Sequence, residues 1–281
     1  MIYKTESGGR EIRRRYDQAI AGWPVPAEHL RVPTREGETF VLVCGPEDAP
    51  PLVLLHGSGS NAAMWLGDVA AWSRHFRVHA VDLIGEPGRS APSRPPLDSD
   101  AYALWLDDVF NHLGLDRVAV VGASLGGWLA LDYTIRRPDR VGRLALLCPG
   151  GIGRQKVGFL LKVLVYKPFG RWGLMRSIRA VAGVDPMALP EVADYLALTF
   201  AHFLPRRDRL PVFPDDALRR LDMPVRVIVG ARDAMFDSQD TADRVRRAVP
   251  HASVTVLPEV AHAIVGQTQP ILDFLLDGPP R

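Results

Sequence analysis

Cysteines and long apolar runs are both scarce in this sequence. Its 281 residues include two cysteines, Cys44 and Cys148, and one possible pair is not the disulfide framework of a small secreted domain. Each ends an apolar run, which favours a buried thiol over a catalytic one. No apolar stretch reaches the roughly 20 residues of a membrane-spanning helix, and residues 1–22 are too polar and arginine-rich for a secretory signal. We therefore expect a cytoplasmic protein without stable membrane association.

The sequence also lacks a large excess of charge of either sign. Its 34 Lys and Arg residues oppose 32 Asp and Glu residues, so no overall field favours binding to nucleic acid. The balance is uneven, because residues 149–221 contain 12 basic and 6 acidic residues. This local excess is interpreted as a solvated outer face, with attraction of anionic substrates as the alternative.

Short apolar runs of strand length alternate with segments of helical period. Two alternating polar and apolar runs within residues 30–45 predict an antiparallel pair of strands that turns near Gly37. Six buried-type runs follow, at residues 52–55, 76–81, 118–121, 144–147, 225–229 and 253–257. This alternation predicts an α/β fold with a mostly parallel sheet and helices on both faces.

The alternation stops once, at residues 149–221. A gap of about 70 residues is much longer than an ordinary connection between a strand and a helix, and it predicts an inserted cap of short helices. The very apolar segment 157–169 has an alternative interpretation as a membrane-interfacial helix, because Lys162 and Lys167 could extend to the lipid headgroups.

The N-terminal residues 9–22 have apolar side chains at helical spacing and arginines on the other faces, which predicts an amphipathic helix. We expect a chain that lacks residues 1–22 to keep a competent active site. The predicted organisation is a helical extension, a core in two pieces and a cap, at residues 1–29, 30–148 with 222–281, and 149–221.

Residues 118–128 predict a strand, a sharp turn and a helix, with Ser124 at the turn. Gly122 and Gly126 lie two residues before and after this serine and leave room for a turn that lifts its hydroxyl clear of the sheet. The helix that follows begins with unpaired N–H groups, which stabilise developing negative charge. Ser124 is therefore interpreted as a nucleophile, and an incidental serine in a tight turn is the alternative.

A nucleophilic serine needs a base and a group that orients the base. Asp233 and His262 each follow a predicted strand, and they follow Ser124 in the chain order expected for this type of turn. His262 would accept the serine proton, and Asp233 would fix the imidazole tautomer. Asp237 is an alternative acid, and Asp233 could instead cap the next helix.

Two backbone N–H groups, of Ser58 and Leu125, are predicted to form an oxyanion hole. Ser58 lies in His-Gly-Ser-Gly after the first parallel strand, where glycines permit close approach of the backbone. His56 is interpreted as a brace for this loop.

These motifs together resemble the α/β-hydrolase superfamily over residues 30–276. The resemblance rests on the segments 56–59, 82–90, 122–127, 230–233 and 261–262. With its N-terminal helix and Trp-Pro-Val-Pro at 23–26, the chain is similar to bacterial carboxylesterase-like members with a helical extension. The resemblance implies the α/β-hydrolase fold, with a mostly parallel eight-stranded sheet and an inserted helical cap.

The sequence departs from the family pattern in two places. Glu86 and Pro87 stand between Gly85 and Gly88, one residue more than the usual spacing, and Ala261 precedes the histidine where glycine is usual. The first departure predicts a reshaped loop after the third parallel strand.

A serine at position 124, where related dehalogenases and epoxide hydrolases have aspartate, implies hydrolysis of an ester, or of a thioester or amide, through an acyl-enzyme. The resemblance implies no cofactor and no metal, and the pocket residues predicted below imply a small, largely apolar substrate. The predicted pocket residues are Met64, Trp65, Trp128 and, in the cap, Phe159, Leu160, Phe200 and Phe203. The alternatives are a C–C lyase or biosynthetic cyclase, and a ligand-binding protein with a vestigial site. The sequence indicates no oligomeric state.

Overall fold

Apolar and β-branched runs form the strands of one central sheet. The structure, a computed structural model, describes residues 2–277, with the backbone alone for 160–162. The strands are β1 (Ala27–Thr34), β2 (Gly37–Cys44), β3 (Pro51–Leu55), β4 (Arg77–Val81), β5 (Val118–Ala123), β6 (Val141–Leu147), β7 (Val225–Gly230) and β8 (Ser253–Leu257). Their order is β1-β2-β4-β3-β5-β6-β7-β8, in which the pairs β1–β2 and β2–β4 are antiparallel and the other neighbouring pairs are parallel. The predicted eight-stranded, mostly parallel sheet is confirmed.

Helices connect and cover these strands. They are α1 (Glu6–Ala21), α2 (Val69–Trp72), α3 (Ala101–His112), α4 (Leu125–Arg136), α5 (Phe159–Tyr166), α6 (Gly170–Ala182), α7 (Pro190–His202), α8 (Asp215–Leu218), α9 (Ser238–Ala248) and α10 (Thr268–Leu276). Short 3₁₀ turns lie at Ala62–Trp65, Pro138–Arg140 and Lys167–Phe169. Among the described residues, none of these helices combines the length and apolar character that crossing a bilayer requires.

Two hydrophobic clusters lie on opposite faces of the sheet. Buried side chains of α3, α4 and α9 form one cluster, and those of α1, α2 and α10 form the other. Helices therefore cover both faces, as the alternation of strands and helices predicts.

The N-terminal helix α1 is part of the core. Its apolar side chains recur every four residues, and Ile12 and Tyr16 are fully buried. The helix begins at Thr5, whose hydroxyl accepts a hydrogen bond from the Gly8 N–H at 3.1 Å. Strand β1 begins at Ala27, so the predicted division after residue 29 falls inside a strand.

Helices α5 to α8 lie in the long segment between β6 and β7. The α6 and α7 helices share a small hydrophobic cluster of Ile178, Val184, Ala193 and Ala197. The insertion also contacts the N-terminal segment. The N–H group of Leu204, just after α7, donates to the carbonyl oxygen of Ile2 at 2.8 Å. This insertion is therefore attached to both the core and the N-terminal segment.

Candidate active site

Ser124 lies at the sharp turn between β5 and α4. Its φ of 51° and ψ of −109° are unusual for a residue with a side chain. A Cβ atom on Gly126 would lie 2.1 Å from the Leu55 carbonyl oxygen, and one on Gly122 would lie 2.5 Å from the Gly126 carbonyl oxygen. The backbone at this turn is too close for any side chain at either position, which accounts for both glycines.

His262 joins Ser124 to Asp233. Its Nε2 lies 3.0 Å from Ser124 Oγ, and its Nδ1 lies 2.7 Å from Asp233 Oδ2. Because an ionised carboxylate can only accept, Nδ1 carries the proton and Nε2 is free to accept one from the serine. The structure thus brings the three predicted residues together from the ends of β5, β7 and β8.

The surroundings of Asp233 keep its carboxylate ionised. Burial acts to raise its pKa, but the hydrogen bond from His262 and those from the N–H groups of Met235 (2.7 Å) and Phe236 (3.1 Å) outweigh burial and lower the pKa. Asp237, the alternative acid, instead accepts from the Asp240 N–H at the start of α9 and pairs with Arg154. The capping role considered for Asp233 belongs to Asp237.

The loop after β3 runs beside the serine. A Cβ atom on Gly57 would lie 3.5 Å from Ser124 Cβ, which places this loop against the nucleophile. Within the described part of the chain, the N–H groups of Ser58 and Leu125 donate no hydrogen bond. Both predicted oxyanion donors are therefore available to a ligand.

His56 is used structurally. It is fully buried, its Nε2 accepts from the Leu83 N–H at 2.9 Å, and its Nδ1 lies 2.8 Å from the Gly57 carbonyl oxygen. Burial lowers the pKa of this histidine to about 4, so the ring is neutral. Both ring nitrogens are occupied, in agreement with the predicted role as a brace.

Cys148, at the end of β6, lies beside the acid and the histidine. The ligand atoms of Cys148, Asp233 and His262 lie within 4.8 Å of one another. Burial, with a contribution from Asp233, raises the pKa of the thiol, and a protonated thiol is a poor metal ligand. The chemistry of this donor set therefore favours the Asp–His pair over a metal site.

Four of the seven predicted pocket residues, Met64, Trp65, Trp128 and Phe159, occupy different environments. Met64 is 38% exposed, and Phe159 is partly buried at the start of α5. Trp65 and Trp128 are each 1% exposed. Trp65 packs near Trp72, and Trp128 stacks on a phenylalanine and donates to a backbone carbonyl. These two tryptophans fill the core and offer almost no surface to a ligand, which corrects their assignment to the pocket wall.

The cap phenylalanines also differ from one another. Phe200 is half exposed, whereas Phe203 is buried against Ile2 and Ile12. The side chain of Leu160 lies outside the described residues.

The cap contacts the segment that carries the histidine. The Ala263 N–H donates to the Ala182 carbonyl oxygen, at the end of α6, at 2.8 Å. Gly183 has φ of +77°, and a Cβ atom there would lie 2.4 Å from Ala261 Cβ. Ala261 has no positive φ, so its methyl group is accommodated without backbone strain.

Two buried carboxylates near the site were not predicted from the sequence. Asp82 accepts hydrogen bonds from the Tyr16 hydroxyl and the N–H groups of Ala62 and Arg89, each at 2.8 Å, and burial raises its pKa to about 6. Glu86 contacts the loop that carries Ser58. The extra residue in Gly-Glu-Pro-Gly was the only sequence signal for Glu86.

Comparisons with known proteins show the family and the fold to which this chain is similar. The sequence model of the alpha/beta hydrolase family matches residues 52–274. Carboxylesterase YbfK of Bacillus subtilis is 30% identical and aligns over 99% of this chain and 98% of its own length. The crystal structure of carboxylesterase CesB (YbfK) from Bacillus subtilis superposes with a TM-score of 0.85 and covers 97% of this chain and 100% of that one. The crystal structure of naproxen esterase (carboxylesterase NP) from Bacillus subtilis is 28% identical, with a TM-score of 0.83 and 97% coverage of both chains.

Proposed function

The chain belongs to the α/β-hydrolase family, and on that basis we propose that it is a serine hydrolase that cleaves a carboxylic ester of a small, largely apolar molecule through an acyl-enzyme. The observation that carries this proposal is the continuous hydrogen-bonded path from Ser124 through His262 to Asp233. Relatives named carboxylesterases align over nearly their whole length with this chain, which favours an ester over a thioester or an amide.

The first half-reaction forms the acyl-enzyme. His262 Nε2 takes the proton of Ser124 Oγ as the oxygen attacks the ester carbonyl carbon. The carbonyl π electrons move to the oxygen, which accepts hydrogen bonds from the N–H groups of Ser58 and Leu125. Asp233 stabilises the imidazolium that has formed. When the tetrahedral intermediate collapses, the bond to the leaving oxygen breaks and His262 gives its proton to the departing alcohol.

The second half-reaction repeats these steps with water. His262 takes a proton from water as the water oxygen attacks the acyl carbon, and then returns a proton to Ser124 Oγ, which leaves as the acid product departs. The reaction therefore needs no redox partner. Met64, Phe159 and Phe200, which retain exposed surface, are our remaining candidates for contact with the substrate.

Hydrolysis of p-nitrophenyl acetate, butyrate and octanoate by the purified protein tests the proposal. We expect turnover, and we expect Ser124→Ala to lower kcat by at least about 10³-fold, because the residual rate would come from binding and the oxyanion donors alone. Ser7→Ala, on the exposed side of α1, is the matched control and should behave like the wild type. The preference among the three chain lengths would then show how much acyl group the site accepts.

Two outcomes would contradict the proposal. A folded protein that turns over none of the three esters would favour the lyase, cyclase or ligand-binding alternatives. Turnover that survives in Ser124→Ala would place the chemistry at another residue.

A further inference from the structure

The loop that carries the Ser58 N–H, residues 56–60, is held by the segment that follows β4. His56 accepts from the Leu83 N–H at its start. Near the end of the loop, the Gly59 N–H and the Ser58 hydroxyl both donate to Glu86 Oε2, at 2.5 Å and 3.2 Å. One carboxylate therefore binds two consecutive residues of the loop.

Glu86 is an unusual residue to find at this position. It is 1% exposed, and burial raises its pKa to about 7, although the Gly59 N–H and the nearby Arg94 and Arg206 lower it. Neither arginine forms a direct hydrogen bond to the Glu86 carboxylate. Arg94 donates to the carbonyl oxygens of Gly85 and Leu204. Arg206 donates to the Pro95 carbonyl oxygen, the Tyr102 hydroxyl and the Asp208 carboxylate. Burial of an ionisable group without a paired charge costs stability, so its presence beside the loop calls for a functional explanation.

The two hydrogen bonds restrain Ser58 on two sides. The bond from Gly59 N–H fixes the peptide plane that follows Ser58, and the bond from its hydroxyl fixes the side chain. Gly59 has φ of +72°, and because glycine populates positive and negative φ about equally readily, its own sterics do not select this conformation. With both restraints in place, the Ser58 N–H is the one polar hydrogen of this residue without a protein acceptor among the described residues.

We infer that Glu86 is a positioning residue for the oxyanion hole, which acts by holding Ser58 and Gly59 so that the Ser58 N–H points to the oxygen of the tetrahedral intermediate. This inference rests on the proposed function. Glu86 itself does not touch the substrate. The segment that departs from the family pattern by one extra residue thus supplies Glu86, which contacts the loop at residues 56–60.

The inference predicts a specific kinetic signature. An oxyanion donor acts mainly on the transition state, so its misplacement lowers kcat more than it changes KM. Removal of a whole oxyanion donor lowers kcat by about 10²–10³-fold, and a displaced donor should cost somewhat less. We expect a loss of about 10- to 100-fold in kcat.

Three variants separate the hydrogen-bond acceptor from charge and volume. Glu86→Gln keeps an acceptor oxygen at similar reach and removes the charge. Glu86→Met keeps a similar volume and removes the acceptor, and Glu86→Ala is a second acceptor-free variant for the case that methionine does not pack. Asp132→Asn is the matched control, because Asp132 is a buried carboxylate with a raised pKa that pairs with Arg136 on α4.

The kinetic measurements are kcat and KM for p-nitrophenyl butyrate and the inhibition constant of 1-butaneboronic acid. This boronic acid forms a tetrahedral adduct with a reactive serine. The midpoint of thermal unfolding shows whether each variant is folded. We expect Glu86→Met and Glu86→Ala to lose about 10- to 100-fold in kcat, to weaken boronic acid binding by at least about tenfold, and to change KM by less than about threefold. Glu86→Gln and Asp132→Asn should stay within about threefold of the wild type in all three kinetic quantities.

The inference is wrong if a folded Glu86→Met or Glu86→Ala protein matches the wild type, or if Glu86→Gln is as impaired as the acceptor-free variants. A rise in KM with unchanged kcat would also contradict it. Failure of the proposed function is distinguishable, because in that case the wild-type protein itself would not hydrolyse the ester.

Discussion

Among the three residues of the proposed triad, Asp233 has the most demanding electrostatic role. Its carboxylate is 1% exposed and accepts three hydrogen bonds, and these bonds lower its pKa in spite of burial. A lowered pKa in the folded state means that the ionised carboxylate stabilises the fold above the ordinary pKa of aspartate, and that this stabilisation is lost as the pH falls through the lowered value. Asp233 therefore stays ionised at neutral pH.

Asp233→Asn should lower kcat by about 10³- to 10⁴-fold with little change in KM, because an amide at this position favours the wrong imidazole tautomer. Asp237→Asn is the control. Asp237 caps α9, so its loss should lower the free energy of unfolding by about 1 kcal/mol or less and leave kcat within a few-fold. Steady-state kinetics and urea unfolding of both variants check the assignment, and an equal loss of kcat in the two would contradict it.

Individual residues differ in how well the sequence predicts them. Ser124, Asp233 and His262 each follow a strand whose pattern is visible within a few neighbouring residues. Glu86 could not be predicted, because its role depends on contact with Ser58, which is 28 residues earlier in the chain. The tryptophans 65 and 128 were assigned to the wrong environment for a similar reason, since a large apolar side chain beside a catalytic segment fits a pocket or a core equally well.

The end of helix α6 supports the segment that carries His262. The Ala263 N–H donates to Ala182, the last residue of α6, and Gly183 lies against Ala261. A connection of this kind makes the position of His262 depend on the insertion that contains α6.

Gly183→Ala should therefore lower kcat by about tenfold or more, because the new methyl group would lie 2.4 Å from Ala261 Cβ and displace the histidine segment. The double variant Gly183→Ala with Ala261→Gly removes the clash and should recover most of this loss. Gly170→Ala is a matched control, since Gly170 also has a positive φ but has open space around it. Kinetics with p-nitrophenyl butyrate distinguish these cases, and a double variant no better than the single one would rule out the steric explanation.

The N-terminal segment joins the core to the cap in the molecule as a whole. Ile12 and Tyr16 are fully buried, and the Tyr16 hydroxyl donates to the buried Asp82. The Lys4 N–H donates to the carbonyl oxygen of His202 at the end of α7 at 2.8 Å. These contacts argue against the expectation, drawn from the sequence, that a chain without residues 1–22 keeps a competent site.

Deletion of residues 1–22 should instead destabilise the protein by several kcal/mol and abolish most activity, because it exposes a face of the core and removes one of the three hydrogen-bond donors to Asp82. Circular dichroism with thermal unfolding, together with ester hydrolysis, would measure both effects. Tyr16→Phe isolates the hydrogen bond to Asp82, and we expect it to cost about 1–3 kcal/mol while the chain still folds. A stable, active truncated protein would show that the original expectation was correct.

The sequence by itself determined the sheet, the helices on both faces and the identity of the three triad candidates. Each of these depends on local periodicity and on residues at the ends of strands, and a parallel sheet brings the ends of its strands together whatever the loops do. Only the tertiary structure decided what holds these residues in place: Glu86 on the Ser58 loop, α6 against the histidine segment, and Tyr16 on Asp82. These contacts join segments that are far apart in the chain. Loop geometry and packing decide which residues meet, and the order of residues in the sequence does not reveal either of them.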